Sequence, residues 1–434
     1  MSIRIHENVP HYHFKPINVA RLVLWGAFAL LLAVVPLIFK SGLGLTMLSQ
    51  MAVAVVACLS YNMLLGQGGM LSFGHAVYTG LAAFVAIHVL NNAGATGVPV
   101  SLIPLIGGFA GMGFAVLLGY VTTKKAGTPF AMITLGIGEL VTSMALMVPE
   151  FFGGEAGVSG NRVVGQPFMG ITFGPQTQVY YLLAVYCFIS VVAMFAFTRT
   201  PLGRMLNAVR DNEERVEFIG YSTQRVRYLA FIAAGFFAGI AGGMYVLNFE
   251  IATAEVVGPS RSGAYLLFTF LGGASFFFGP IIGAVLMVVA FVLLSEFTKA
   301  WLLYLGLIFM FMVMYAPGGI ASLIMMNLRL AAFGKLRRIW PAYLALGVIA
   351  LFVLGSAATV IEMVYHLQLN SAMGTELSFM GLKLDAKGLD SWFGAGFILL
   401  CSLGLFELTR RQFKLQWDET QGEIDKEIKR REAM

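Results

Sequence analysis

A succession of apolar runs, each close to the length of a membrane-crossing helix, constrains this 434-residue chain more than any other feature. A helix needs about 20 predominantly apolar residues to cross the hydrocarbon layer of a membrane. The chain is 58% hydrophobic and only 12% charged, so a water-soluble fold could not bury its apolar surface. We therefore predict an all-α fold, a polytopic transmembrane helix bundle of about ten core spans plus two extra C-terminal spans.

The predicted spans follow one another with short connections. The core spans lie near 21–39, 44–65, 69–90, 100–121, 128–148, 178–197, 227–249, 263–277, 279–297 and 300–316, and the extra spans near 340–361 and 392–408. The runs at 263–277 and 300–316 are short, so either is a candidate for a broken or re-entrant helix.

Basic residues between the spans predict the orientation of the chain. Lys124, Lys125, the arginines of 199–227 and the basic residues of 329–338 fall on one side if the N-terminus is cytoplasmic. The net charge of +6 then follows the positive-inside rule and does not indicate nucleic-acid binding. We expect a multi-pass membrane protein with both termini in the cytoplasm.

Small residues predict the packing of the bundle. Gly235, Gly239 and Gly243 recur every four residues on one predicted span, and Gly107 and Gly111 do so on another. This spacing lets helix backbones approach closely in lipid. The three cysteines, Cys58, Cys187 and Cys401, lie inside apolar runs without paired or metal-ligand spacing, so we expect them to be buried as small hydrophobic side chains.

A charged segment, 198–227, interrupts the apolar spans. Thr200 is a good N-cap, Pro201 a good first helical residue and Gly220 a good left-handed stop, which predicts one helix of about 19 residues. Its apolar side chains share one face: Leu202, Leu206, Val209, Val216 and Ile219. Amphipathicity alone leaves two interpretations open, because such a helix can dock on a soluble partner or anchor the edge of the bilayer.

Polar residues at membrane depth are candidates for a translocation pathway. The glycine-rich stretch from Gly66 to His75 breaks an apolar run, and such breaks are tolerated where protein or a water-filled cavity satisfies the backbone. A tight turn without contact to a solute is the alternative. Glu139 lies near the middle of a span and should face the bundle or a cavity. It could meet a solute ammonium group, or pin two helices through Thr134 or Ser143, and His75 could be a packing residue or a relay.

Six ordered motifs carry a resemblance to a known family. The stretch 62–76, NMLLGQGGMLSFGHA, resembles the N-L-L-x-G-x-x-G-x-L-S-F-G-H-A signature of LivM-type permease subunits of branched-chain amino acid ABC transporters. The later stretches TLGIGE (134–139), GGEAGVSG (153–160) and TPLGRMLNAVR (200–210) are similar to further motifs of that family, in the same order. The pattern GG…GP…G over 272–283 and YAPGGI at 315–320 complete the likeness, which covers about residues 20–325.

The resemblance implies a function and a set of partners. It implies the permease subunit of an ATP-driven importer for branched-chain amino acids or a related small solute, which a soluble binding protein delivers. The implied partners are a second related permease, two ABC ATPase subunits, the solute-binding protein and membrane lipid, without nucleic acid. The chain has no G-x-x-x-x-G-K-[ST] loop, so we expect no cofactor on it and ATP with Mg on the partner subunits. It implies a bacterial-type cytoplasmic (inner) membrane as the location. It implies no catalytic residue and no metal ligand.

The resemblance also divides the chain and assigns candidate residues. Together with the apolar runs and charges, it gives four segments: a cytoplasmic N-terminal arm (1–20), a permease domain (21–325) with a cytoplasmic coupling loop (198–227), an extension with two transmembrane helices (326–408) and a charged cytoplasmic tail (409–434). The residues for coupling to the ATPase are Pro201, Gly203, Arg204, Arg210, Asp211, Glu213, Glu214, Arg215, Glu217 and Gly220. Those for the pathway are Gly66, Gly69, Ser72, Gly74, His75, Thr134 and Glu139.

Two features depart from the family pattern, and two other function classes remain. Arg215 and Val216 stand where the family usually has an Ala-Ala pair, and the extension from about 331 continues past the usual end. An ion-coupled secondary transporter or channel is the alternative function, although such proteins usually show more ionisable residues along their route. A membrane enzyme would show clustered His, Asp or Cys near one interface, and the sequence has no such cluster.

Overall fold

This computed structural model describes residues 19–163, 172–369, 376–379, 382–385 and 387–432. The predicted N-terminal arm therefore lies almost wholly outside the described residues. Contacts within the chain define two compact units, with the boundary between Val289 and Ala290. The four segments drawn from the sequence remain a prediction, because a division by contacts does not mark functional domains.

The first unit is built from helices joined by short connections. Its helices are α1 (Val19–Ile38), α2 (Gly42–Gly68), α3 (His75–Asn91), α4 (Ala93–Thr96), α5 (Ile103–Thr122), α6 (Thr128–Met147), α7 (Pro149–Phe152), α8 (Gln176–Arg199), α9 (Pro201–Asp211), α10 (Glu213–Phe218), α11 (Thr223–Phe249), α12 (Pro259–Gly272) and α13 (Gly279–Val289). Short 3-10 turns cover Val100–Leu102 and Ala254–Val257. A two-residue antiparallel pair joins β1 (Val158–Ser159) to β2 (Ile251–Ala252).

Helix α11 forms the centre of the first unit and packs against α5, α3 and α2. The predicted glycine contacts are confirmed at its crossing with α5. A Cβ atom on Gly107 would lie 2.6 Å from the carbonyl oxygen of Gly239, and one on Gly111 would lie 2.5 Å from that of Gly235. No real Cβ atom fits at those distances, so the two backbones meet only because both helices carry glycine there.

Among the described residues, five helices of the first unit and two of the second are long and apolar enough to cross a membrane. Helices Leu22–Ile38, His75–Asn91 and Gly279–Leu294 are apolar but shorter. The run at 263–277, for which the sequence left open a full span or a broken or re-entrant helix, is not a continuous span: α12 has only 14 residues and the chain turns back through Gly273 into α13. A Cβ atom on Gly272 would lie 2.1 Å from the carbonyl oxygen of Gly279, so this hairpin is tight.

The second unit ends in a long helical hairpin. Its elements are a π-helical turn (Ala290–Leu294), α14 (Ser295–Phe297), α15 (Trp301–Tyr315), α16 (Gly319–Ala332), α17 (Leu336–Leu369), β3 (Glu376–Phe379) paired antiparallel with β4 (Leu382–Asp385), and α18 (Leu389–Glu432). Helices α15 and α16 meet at a bend of 48° and could form one broken span. Both predicted extra spans lie within α17 and α18, which pack against each other.

The charged tail predicted from residue 409 continues α18 without a break. Ile424 of this part is fully buried with Leu330 and Ile339. Lys335 and Arg338 form ion pairs with Glu423 at 2.7 and 2.9 Å. The tail is therefore a helix that folds back on the start of α17.

The cysteine prediction is correct at two positions of three. Cys58 and Cys187 are buried, whereas Cys401 is exposed on α18. Only 11% of the residues in the most apolar stretch of that helix are buried. All three thiols are free.

Candidate functional site

The glycine-rich stretch forms a break between α2 and α3. Gly69 ends α2 in a left-handed conformation, with φ of +65°, and its N–H donates to the carbonyl of Leu65. The N–H of Met70 donates to the carbonyl of Leu64 at 2.9 Å. Glycine takes this conformation without a Cβ penalty, which is why the helix ends here.

Side chains from two distant helices complete the start of α3. Thr134 of α6 accepts a hydrogen bond from the N–H of Phe73 at 3.1 Å, and Ser262 of α12 accepts one from the N–H of Ala76 at 3.0 Å. A Cβ atom on Gly74 would lie 2.2 Å from the carbonyl oxygen of Thr134. The predicted residues Gly74 and Thr134 therefore meet. Ser262 was missed, because its sequence neighbourhood matches no motif.

Several buried polar atoms surround this break without a hydrogen-bond partner among the described residues. They include Asn62 Oδ1, Ser72 Oγ and His75 Nδ1. His75 is 1% exposed, and its Nε2 lies 2.9 Å from the hydroxyl oxygen of Ser60. That hydroxyl donates to a backbone carbonyl of its own helix, so Nε2 carries the proton and Nδ1 is left as a free acceptor. Such atoms are stable when water or a polar solute reaches them.

Glu139 is not where the sequence placed it. The side chain is exposed on the outer face of α6, and no hydrogen bond or ion pair joins it to another described residue. Thr134 is engaged with Phe73, and Ser143 is itself exposed. Glu139 therefore neither faces the bundle of its own chain nor pins two of its helices, because the buried face of α6 is made by residues on the other side of that helix.

The coupling segment consists of two helices rather than the one helix predicted. Thr200 caps α9 as expected, accepting a hydrogen bond from the N–H of Gly203 at 3.2 Å, and Pro201 is the first helical residue. Asn212 is extended and starts α10 by accepting a hydrogen bond from the N–H of Arg215 at 2.9 Å. Asparagine favours such a cap over a helix interior, which explains the break. Gly220 has a φ of +89°, as its predicted stop role requires.

The buried face of this segment is shorter than predicted. Leu206, Val209 and Val216 are buried, but Ile219 is 63% exposed, so its assignment to that face is wrong. The break at Asn212 changes the helical phase, and the chain leaves α10 at Phe218. Phe218 and Tyr221 are 88% and 52% exposed. Together with Ile219 they form an apolar surface that we call the 218–221 patch.

The charges of the segment divide into engaged and free groups. Glu213 forms an ion pair with Arg227 at 2.8 Å, and Glu217 accepts a hydrogen bond from the hydroxyl of Thr223 at 3.0 Å. Asp211 pairs with Arg210 at 3.0 Å. The predicted residues with exposed side chains and no described partner are Arg204, Glu214 and Arg215.

Arg210 joins the coupling segment to the helix break. Its Nη1 donates to the carbonyl oxygen of Gly66, in the last turn of α2. A Cβ atom on Gly69 would lie 2.8 Å from Cγ of Arg210, and one on Gly68 would lie 3.1 Å from a methyl group of Leu206. Helix α9 therefore packs directly on the end of α2, and the two predicted groups of residues meet at this point.

Arg162 is a further structural residue that the sequence reasoning missed. Its guanidinium donates to the carbonyls of Phe173, Leu247 and Gly174, and its backbone N–H donates to Glu250 at 2.8 Å. The side chain is 11% exposed. It ties the loop after the motif at 153–160 to the end of α11. An arginine two residues after a glycine-rich motif was the available signal.

Comparisons with known proteins agree with this architecture. The family described as "Branched-chain amino acid transport system / permease component" matches residues 43–318, more than half of the chain. The high-affinity branched-chain amino acid transport system permease protein LivM of Escherichia coli strain K12 is 27% identical over 297 residues, covering 64% of this chain and 69% of that protein. The protein of the same name from Salmonella typhimurium is 28% identical over 298 residues, with the same coverage.

Another relative is named for a different solute. The putative glucose ABC transporter permease protein TsgC13 of Haloferax volcanii is 28% identical over 244 residues, covering 51% of this chain and 64% of that protein. No solved structure matches the chain significantly. The family match spans the helix break, the coupling segment and the hairpin of α12 and α13. The chain therefore belongs to the permease component family of branched-chain amino acid transport systems, and it is a multi-pass inner-membrane subunit of an ABC transporter.

Proposed function

We propose that this chain imports branched-chain amino acids as one of two permease subunits, with a second related permease, two ABC ATPases and a solute-binding protein. The names of the Escherichia coli and Salmonella typhimurium relatives support this substrate class. The Haloferax volcanii relative is named for glucose, so transport assays must compare the two kinds of substrate. ATP and Mg bind the ATPase partners, since the chain itself lacks a phosphate-binding loop.

The coupling segment docks on an ATPase subunit. Its free charges, Arg204, Glu214 and Arg215, set the register of docking, because complementary charges govern specificity more than affinity. The 218–221 patch supplies the apolar anchor. Phe218 is the most exposed large apolar side chain of that segment, and aromatic anchors dominate the energy of many interfaces. This assignment places the segment, and with it both termini, in the cytoplasm.

The contact of Arg210 with Gly66 is the observation that carries the proposed mechanism. ATP-driven closure of the ATPases moves α9, and Arg210 and Leu206 transmit that movement to the end of α2. The break between α2 and α3 is a hinge of this transmission, since few backbone hydrogen bonds hold 70–74. The unpartnered polar atoms of Asn62, Ser72 and His75 face the pathway when the break opens.

A purification and a reconstitution test this function. The tagged chain, extracted gently from its native membrane, is expected to bring a second permease and two ATPase subunits. Liposomes that contain the complex and ATP with Mg, supplied with the binding protein, should accumulate radiolabelled leucine and not glucose. A Phe218→Ala variant should keep the second permease but lose most of the ATPase subunits. A chain that purifies alone and moves solute without ATP would instead be a secondary transporter.

A further inference from the structure

The outer face of α6 differs from the other outer faces of the first unit. One stripe of exposed residues at helical spacing carries its polar groups: Met132, Gly136, Glu139, Ser143 and Met147. The exposed side chains beside this stripe, such as Leu140 and Met144, are apolar. A Cβ atom on Gly136 would meet nothing within 4 Å, so this face is open. Only 33% of the residues in the most apolar stretch of α6 are buried, the smallest share among the five long described spans of the first unit.

Lipid explains the other outer faces but not this one. Helices α5 and α8 expose apolar side chains such as Phe109, Leu117, Val185 and Ile189. Hydrocarbon covers such residues well. It cannot solvate the carboxyl group of Glu139, which has no partner among the described residues. Something other than lipid therefore covers this stripe in the membrane.

The depth of Glu139 restricts what can cover it. At 1.5 Å per residue, it lies about 16 Å from the start of α6 and about 12 Å from its end. Soluble subunits reach only the ends of a span. No described side chain of the first unit reaches it, so its covering group belongs to other membrane-embedded protein.

The charge of the stripe restricts the partner further. A second copy of this chain, related by a two-fold axis, would bring the same patch against itself and place two Glu139 carboxyl groups near each other. Like groups in a low-dielectric interface repel or compete for protons. A different chain can offer a hydrogen-bond donor or a cation instead.

We propose that the outer face of α6 is the interface with the second, non-identical permease subunit, and that Glu139 accepts a hydrogen bond or ion pair from that subunit. This rests on the proposed function, which supplies the second permease. Gly136 lets the partner helix approach closely, and Ser143 adds a second polar contact one turn further along.

Photo-crosslinking in native membranes tests this interface. Cys401→Ser removes the exposed thiol, and the buried Cys58 and Cys187 stay in place. Ser143→Cys, labelled with a benzophenone maleimide, should give an adduct with one other permease chain, identified by mass spectrometry. Val185→Cys, on the lipid-covered face of α8, is the matched control and should give at least fivefold less. Equal adducts from both positions, an adduct with a second copy of this chain, or none from Ser143→Cys overturns the proposal.

Two substitutions test the carboxyl group itself. Glu139→Leu should lower recovery of the second permease with the tagged chain at least fivefold, whereas Glu139→Gln, which still accepts a hydrogen bond, should retain most of it. Recovery unchanged in Glu139→Leu would contradict the role of this group. A wild-type chain that recovers no second permease would contradict the proposed function, while one that recovers it without α6 adducts contradicts only the interface.

Discussion

Arg210 offers the most direct test of how the coupling segment moves the membrane helices. Replacing it by alanine removes the hydrogen bond to the Gly66 carbonyl, and with it a positive charge at the C-terminal end of α2. A hydrogen bond from a charged group contributes about 1.5–3 kcal/mol. The Arg210 side chain is 40% exposed, so solvent reduces this to about 1–2 kcal/mol.

That energy converts into a measurable defect. A loss of about 1–2 kcal/mol of interaction free energy between α9 and α2 corresponds to a 5- to 30-fold fall in the equilibrium constant that couples their movements. The pairing with Asp211 adds little, because both side chains are exposed. We expect Arg210→Ala to keep ATP hydrolysis but to lower ATP-driven leucine uptake about tenfold in proteoliposomes.

Lys125→Ala removes an exposed basic residue outside the coupling segment and should transport like the wild type. Arg210→Lys keeps the charge on a shorter side chain and should be intermediate. Uptake per ATP in Arg210→Ala equal to that of the wild type would refute the transmission through Gly66. Equal amounts of assembled complex must be compared, so that lost assembly is not mistaken for lost coupling.

The remaining predictions concern stability. Gly111→Ala places a Cβ atom 2.5 Å from a backbone carbonyl oxygen of α11 and should destabilise the fold by about 1–3 kcal/mol. Gly113→Ala on the same helix meets only open space and should leave stability unchanged. Thermal unfolding in detergent distinguishes the two variants. Arg162→Lys loses most of the bonds to its carbonyl acceptors and should cost about 2–4 kcal/mol, so an unchanged unfolding midpoint would contradict its structural role. Ile424→Ala should cost about 2–5 kcal/mol of stability and loosen the helical hairpin, whereas Leu415, which is 72% exposed, should tolerate alanine with little effect. The fluorescence of Trp417, which packs near Ile424, reports both variants.

Periodicity and apolar length predicted most of the fold because spans in lipid must satisfy their own backbone. Glycine spacing predicted close backbone approach at α5 and at α11, but not that these two helices meet each other. The position of the turn between α12 and α13 was not predicted, since an apolar run does not indicate where its backbone reverses. The break at Asn212 was also missed, although asparagine is a good cap, because the apolar spacing around it suits one continuous helix.

The candidate site, like the fold, was predictable from the sequence only in part. Local motifs identified the break and the coupling segment, but their meeting through Arg210 and Gly66 joins residues 144 positions apart. The error at Glu139 has another cause. Sequence indicates that a carboxyl group needs a partner in the membrane, and it does not indicate whether that partner belongs to the same chain.

The capping of α3 by distant side chains also sets an order of events during synthesis. The N–H of Phe73 obtains its acceptor 61 residues later in the chain, and that of Ala76 obtains its acceptor 186 residues later. At about 5–20 residues per second, the ribosome needs roughly 10–40 s to make the longer stretch. Throughout that interval the first helices are already made, but one or both of these backbone N–H groups still lack their final acceptors. They must then donate to water or to the insertion machinery. The hinge is thus among the last parts of the first unit to mature, and a nascent chain stalled before residue 262 cannot complete it.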